Sequence, residues 1–511
     1  MRSTHRTIAS ISLLLLWSVA AHAFSLLGPF DPAYQTPELN YGSTRSVFGG
    51  VDGPGGDVGG PMNLGEEYRT GSPVLVYGFD STFVDFFGDA GVAAVESAVA
   101  ILNNLPTVPN MSTNLSEYPL SSTHFNQVAA QLKILDVKSM SLSLLLQAMG
   151  LAAPERFTWT LRERVPIPNT DPQQYVYTVI QRNFDPVTWQ YSRYVNDTLY
   201  TYQIVHEWQP EDWSDCQEIG VNVANPNISV VSLAGVQAGA TDPRTFQQLY
   251  GGGFGGRFES GLYFTGLTRD DVGAIRYLYR SGNVNWQAPP LGATGSSGGG
   301  GSAGGSPWTI VGFEVVNPLP NSPWTVVGGG LFGFTNTVGG GVITGTPPPD
   351  GGRGGPGKVA FVRVDTDPLL GQYITPVTIR YPETVINAQG VAVQTLTQRV
   401  ITSPDILFTA ADVGTFANST PVVYRILNTT YTQVLNPGAG TLVPAGPGII
   451  EPGIEFAFSK VGPWVFNTRD TAEIEGTLGF VWGSFDGSTN TPIVYPQGAT
   501  AQELESKLFD Q

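Results

Sequence analysis

Basic residues, histidine and cysteine are all scarce in this chain. Lys and Arg number 25 against 42 Asp and Glu, a net charge of −17 over 511 residues. A chain of that sign repels phosphate backbones and anionic headgroups, which excludes nucleic acid and acidic lipid surfaces as partners. The single cysteine, Cys216, rules out an internal disulfide. Small disulfide-stapled scaffolds are therefore excluded, and a hydrophobic core has to hold the fold. Charged residues of both signs reach only 13%, so strands and turns are expected to outweigh charged amphipathic helices.

Long apolar runs are missing as well. Ile8–Val19 is roughly a dozen residues, against the ~20 that a membrane-spanning helix needs, and no later run comes closer. Arg2, His5 and Arg6 precede it, and Ala21-His22-Ala23 follows with the small-x-small pattern that signal peptidase reads. Residues 1–23 thus read as a secretory signal peptide cleaved before Phe24. The mature protein is expected to be secreted, extracellular or in the cell envelope, without a transmembrane segment. Cleavage removes two of the 25 basic residues, which leaves 23 against 42 acidic ones. It also removes His5 and His22, so that His124 and His206 are the histidines left.

What is abundant is glycine (63) and proline (39), with 41% hydrophobic and 11% aromatic residues. The expected architecture is multidomain. An α+β N-terminal domain spans 24–281, a Gly/Ser linker (GATGSSGGGGSAGG) lies within 282–305, and an all-β, sandwich-like region of one or two domains fills 306–511. In the first domain, PVLVYGF (73–79) reads as a buried strand. A helix capped by Asp89 follows, with Val92, Val95, Val99 and Leu102 on one stripe before Pro106. Further helices are expected over Thr123–Val137 and Ser141–Met149, then strands over Phe157–Ile167, Tyr175–Phe184 and Trp189–Trp208, with Asn196-Asp197 as a hairpin turn and Ile228–Leu233 as one more strand. Thr268 and Asp271 form a capping box for a closing helix. Beyond the linker, SPWTIVG (306–312) recurs as SPWTVVG (322–328), and seven or so strand-like runs are separated by turn residues.

Two stretches resemble the scaffold of the matrixin-like metzincin peptidases. GLTRDDVGAIRYLY is similar to that family's closing helix, and VLVYGFDSTFVDFFGDAGVAAVESAVAILNNL to its first strand and long helix. The likeness covers 73–105 and 266–280. The family's zinc helix, H-E-x-x-H-x-x-G-x-x-H, belongs just upstream of Gly266, where this chain has SLAGVQAGATDPRTFQQLYGGGFGGRF and no histidine. The resemblance therefore implies a catalytically empty scaffold, with no zinc ligand carried over.

HEWQPEDWSDCQE, starting at His206, offers metal ligands in His206, Glu207 and Asp215, with Asp212 and Cys216 beside them. Their spacing fits no closed zinc pattern, and Pro210 breaks any helix that would align them, so a solvated acidic loop is the simpler expectation. Calcium is the ion that suits the oxygen-rich loops at Asp365-Thr366-Asp367 and Asp52/Asp57, and no other cofactor is expected. For a glycosidase pair, the candidates are Asp80 with Asp85, or carboxylates in 207–218. The G-x-S-x-G matches at Gly295 and Gly300 fall in the linker, where no strand-to-helix elbow is expected. These readings favour a secreted, non-enzymatic binding or structural protein whose exposed Trp and Tyr meet a polysaccharide or a protein surface. The alternative is a secreted hydrolase, either divergent metallopeptidase-like or carboxylate-based.

Overall fold

The run VLVYGF has no polar face, so a strand built from it needs cover on both sides. A computed structural model describes residues 23–26, 69–152, 154, 158–195, 198–207, 213–220, 260–283, 285–287, 293–296, 309–311, 314–316, 333–335, 351–367, 374–386, 392–411, 432–435, 442–445, 449–450, 453–460, 465–466 and 481–496. In it, Val74–Phe79 lies inside a five-stranded sheet. Ala360–Arg363 pairs with it on one side and Ile406–Ala411 on the other, both in parallel. Ile454–Ser459 extends the sheet in parallel, and Val465–Phe466 closes it antiparallel. The described residues thus mix a few helices with many strands in mostly small sheets, and every described regular element after Tyr279 is a strand.

This pairing bears on the expected boundary. A strand from before 282–305 is hydrogen-bonded between two strands from after it, so that stretch does not divide the core. Part of it is itself built into a sheet: Asn285–Gln287 pairs with Gly351–Arg353, and Ala293–Ser296 pairs with Ala392–Ile401. The glycine-rich part of the expected linker, 297–305, lies outside the described residues.

One face of the sheet is covered by helix Ser81–Asn103. Phe83 stacks on Phe87 (centroids 4.5 Å apart), meets Phe458 edge-on at 5.8 Å and lies beside the Phe79–Phe408 pair. The expected stripe of Val92, Val95, Val99 and Leu102 is buried. The helix begins earlier than predicted, because Asp80 rather than Asp89 accepts the Phe83 N–H as the cap. Gly88, at φ 62°, breaks the helix just before Asp89, a backbone conformation that suits glycine.

Helix Val137–Ala148 packs against it and is buried almost all round. Its cap, Asp136, accepts the Ser139 N–H at 2.9 Å and lies fully inside, where burial pushes its carboxyl up to about 6 against the pull of the Ser139 hydrogen bonds. The long helix expected over Thr123–Val137 is instead strand Thr123–Phe125, short helix Gln127–Gln131 and strand Ile134–Asp136. The chain turns at Lys133 (φ 51°), and both strands find partners far away, Leu262–Phe264 and Val481–Ser484. Helical spacing lost to non-local pairing.

On the opposite face, Val74 and Val76 pack with Val362, Ile379, Tyr381 and Ile401, brought by the long hairpin Val377–Ile386/Ala392–Ile401. Asp405 ties these layers together. Its carboxylate takes the Val76 N–H at 2.9 Å and both Arg399 guanidinium nitrogens, and its own N–H reaches the Val76 carbonyl at 2.7 Å. Both side chains of this ion pair are buried.

The closing helix Arg269–Tyr279 has the predicted capping box: the Asp271 carboxylate accepts from the Thr268 N–H (2.8 Å) and hydroxyl (2.7 Å). Against it lies the buried strand Phe24–Leu26, held between Leu151–Ala152 and Asn183–Phe184. The hairpin predicted at Asn196-Asp197 closes with Val195 opposite Thr198. Thr309–Val311, from the first SPWT copy, pairs with Gly333–Thr335. The second copy, Ile228–Leu233 and residues 1–22 lie outside the described residues. Among the described residues, no helix is long and apolar enough to cross a membrane.

Candidate functional site

Asp-Pro followed by Thr is a turn signal with a mechanism, since Asp can accept from backbone N–H groups two and three residues on. Residues 185–191 (DPVTWQY) use it fully. Asp185 Oδ1 accepts the Val187 N–H (2.9 Å), the Thr188 N–H (2.6 Å) and the Thr188 hydroxyl (3.0 Å). The backbone closes the loop from both ends, Trp189 N–H to Asp185 C=O at 2.9 Å and Asp185 N–H to Gln190 C=O at 2.8 Å. A Phe184–Tyr191 bridge joins it to the strand before it.

The loop is also seated on the closing helix. Arg276 donates to the Pro186 carbonyl and to the Ser112 (2.7 Å) and Thr113 (2.9 Å) carbonyls. Gly273 sits mid-helix, where glycine is ordinarily unfavourable. Its reason is contact: a Cβ there would lie 2.1 Å from the Pro186 Cβ.

This well-tied loop presents aromatic rings to solvent. Trp189 is 38% exposed and Tyr191 54%, and Val187 beside them is exposed too. The Trp189 ring is backed edge-on by Tyr277 at 5.3 Å and by Arg280, whose guanidinium carbon lies 5.1 Å from its centroid. Tyr191 leans on buried Phe184 at 5.2 Å. Trp189 sits at φ 57°, the left-handed region that a bulky residue rarely enters. Such a conformation costs on the order of 1–3 kcal/mol and persists where the surroundings over-determine it. The result is a fixed platform of partly solvated rings.

The predicted metal ligands occupy a different element. His206, Glu207 and Asp215 lie on the hairpin Thr198–Glu207/Trp213–Gly220, opposite Ser214, Trp213 and Val205 in its register, and their side chains lie outside the described residues. Among the described residues, no three His, Cys, Asp or Glu side chains form a group able to hold a metal. His124 is exposed and stacks on Tyr263. Asp365 stands 3.8 Å from the Arg363 guanidinium, and Asp52 and Asp57 lie outside the described residues.

Asp80 and Asp85 do not act as a pair. Asp85 is exposed on the helix, while Asp80 caps that helix and accepts from the Thr82 hydroxyl at 2.6 Å. The carboxylate that senses Asp80 is Glu455. Burial raises the Glu455 carboxyl and the Asp80 charge adds to the rise, against a 3.1 Å hydrogen bond from Thr409. Asp80 follows Val74–Phe79, from which the parallel sheet continues to either side, and the carboxyl ends of strands at such a switch point commonly receive ligands. Glu455 was not legible as a site residue, since only the sheet register brings it near Asp80.

Comparison with protein-family models, with curated proteins and with solved structures finds no match for this chain.

Proposed function

We propose that this protein is an exported, non-enzymatic binding protein that holds a neutral polysaccharide on the loop 185–191. The observation that carries the reading is Trp189, an exposed ring on a strained backbone that three Asp185 hydrogen bonds and the Arg276 clamp keep in place. Flat aromatic faces suit the C–H faces of pyranose rings, and a rigid platform loses little entropy on binding. The excess of 42 acidic over 25 basic residues favours an uncharged polymer over an anionic one. Export rests on the signal read in residues 1–23. The test is co-sedimentation of the full chain with cellulose and chitin, beside the double variant Trp189→Ala/Tyr191→Ala. Binding by the wild type and loss in the variant support the reading. Equal retention of both, or none by the wild type on any neutral polymer, defeats it.

A second reading, hydrolysis by paired carboxylates, is favoured by the Glu455 carboxyl, which burial raises and the Asp80 charge raises further. It predicts release of reducing ends from a bound polysaccharide, abolished by Glu455→Gln. Binding without any such release rejects it.

A further inference from the structure

Strand Phe24–Leu26 is short, yet it is the middle strand of its sheet, with Leu151–Ala152 on one side and Asn183–Phe184 on the other. The second of those partners runs directly into the loop 185–191. The seating is specific. Phe24 stands opposite Phe184 and Ser25 opposite Asn183, and the Ser25 hydroxyl donates to the Arg182 carbonyl (3.2 Å) and to the Asn183 side-chain oxygen. The Asn183 carbonyl in turn accepts the Ser192 N–H at 2.9 Å, just beyond the loop.

The Phe24 ring lies at the centre of a row of five. It meets Tyr277 at 5.7 Å and Phe184 at 6.0 Å. Tyr277 backs Trp189 at 5.3 Å, and Phe184 backs Tyr191 at 5.2 Å. The inner three rings, Tyr277, Phe24 and Phe184, are 3% exposed or less, whereas the outer two are the solvated rings of the platform. Asp185 and Arg276 fix the loop's backbone, but a side chain can still turn about its own torsions. What opposes that turn is the ring behind it, and a ring in a close-packed interior stays where it is because no void lets it leave. Phe24 touches the support of both exposed rings at once.

We infer that strand Phe24–Leu26 is a wedge that positions the binding platform, with Phe24 the positioning residue for both Trp189 and Tyr191. The inference rests on the reading of the loop 185–191 as a binding site. It adds that the site's geometry is set from outside the loop, by the segment that follows the signal read in residues 1–23. Removing the Phe24 ring opens a void that Tyr277 and Phe184 can partly fill, and each outer ring then loses its backing. With the two rings correctly placed about a tenth of the time, the apparent Kd rises about tenfold.

Fluorine NMR of the full chain labelled with fluorotryptophan reads this without any ligand. The Trp189 resonance is identified by its loss in Trp189→Phe. In Phe24→Ala it should move toward its position in the urea-unfolded chain, and affinity for hydroxyethyl cellulose should fall about tenfold. Phe24→Leu keeps most of the volume without the ring. It should shift the resonance in the same direction, with a loss of affinity of about threefold. The control is Phe408→Leu, at a core ring that packs on Phe79 and Phe83. It should lower stability and leave both readings at their wild-type values. If Phe24→Ala does not fold, Phe24→Leu against Phe408→Leu decides. The inference is overturned if the Trp189 resonance of the folded Phe24 variants stays at the wild-type position, or if Phe408→Leu moves it as far. A wild type that binds no neutral polymer defeats the binding reading, and the resonance still decides whether Phe24 places Trp189.

Discussion

The core around Val74–Phe79 and the loop 185–191 both depend on aromatic rings, yet they hold them by opposite means. Phe83, Phe87, Phe408 and Phe458 are immobilised by one another, in a dry cluster with no exposed face. Trp189 and Tyr191 are immobilised from the backbone, by Asp185 and Arg276, with their faces left partly in water. Rings fixed by packing stabilise the fold, whereas rings fixed by polar clamps and left uncovered are available to a ligand. Rigidity without burial is the physical mark of the second kind.

The comparison can be broken most forcefully in the core. Asp405→Ala leaves Arg399 buried without its partner and also frees the Val76 N–H, so chemical denaturation should show a loss of about 3–5 kcal/mol. A smaller loss would mean that the layers are joined by apolar contact alone. Acid titration separates the two regions next. The Asp136 carboxyl is raised from 3.8 to about 6 in the folded protein, so the fold binds its proton more tightly than the unfolded chain does. Its contribution is complete below about pH 4 and is lost as the pH rises through 6, a decline of about 3 kcal/mol. Asp136→Asn keeps a capping residue and should flatten that slope, while polysaccharide binding by the wild type stays level over the same range. A slope unchanged in the variant assigns the titration elsewhere.

Gly273→Ala sharpens the contrast at the seam between helix and loop. The added methyl displaces Pro186, with an overpacking penalty of about 1–3 kcal/mol, and should weaken polysaccharide binding although no ligand-facing atom has changed. Retained binding would show that the loop does not need its seat. The smallest effect on stability is expected from Trp189→Gly, within about 1 kcal/mol, because relief of the positive φ offsets the lost contact with Tyr277 and Arg280.

Local signals were legible in the sequence, and long-range pairings were not. The capping box at Thr268/Asp271, the two-sided strand Val74–Phe79 and the valine stripe of the long helix depend on neighbours in the chain, and all three are present. The split of Thr123–Val137 into strand, helix and strand depends on residues 262–264 and 481–484, whose register no periodicity reveals. The same holds for the sheet that strands from before 282 and after 305 share, whose pairing no local pattern reveals. Of the aromatic site, the Asp185-Pro186-Thr188 turn signal is written in the sequence, while Trp189 carries the pattern of a strand start. Its exposure and its seat on Gly273 required the folded chain.

Affinity electrophoresis of the wild type and Trp189→Gly through a gel containing hydroxyethyl cellulose, with unfolding curves of both, tests the central claim most directly. The account predicts marked retardation of the wild type, at least tenfold weaker binding by Trp189→Gly (about 1.4 kcal/mol), and near-superimposable unfolding. Equal retardation of the two proteins would contradict it.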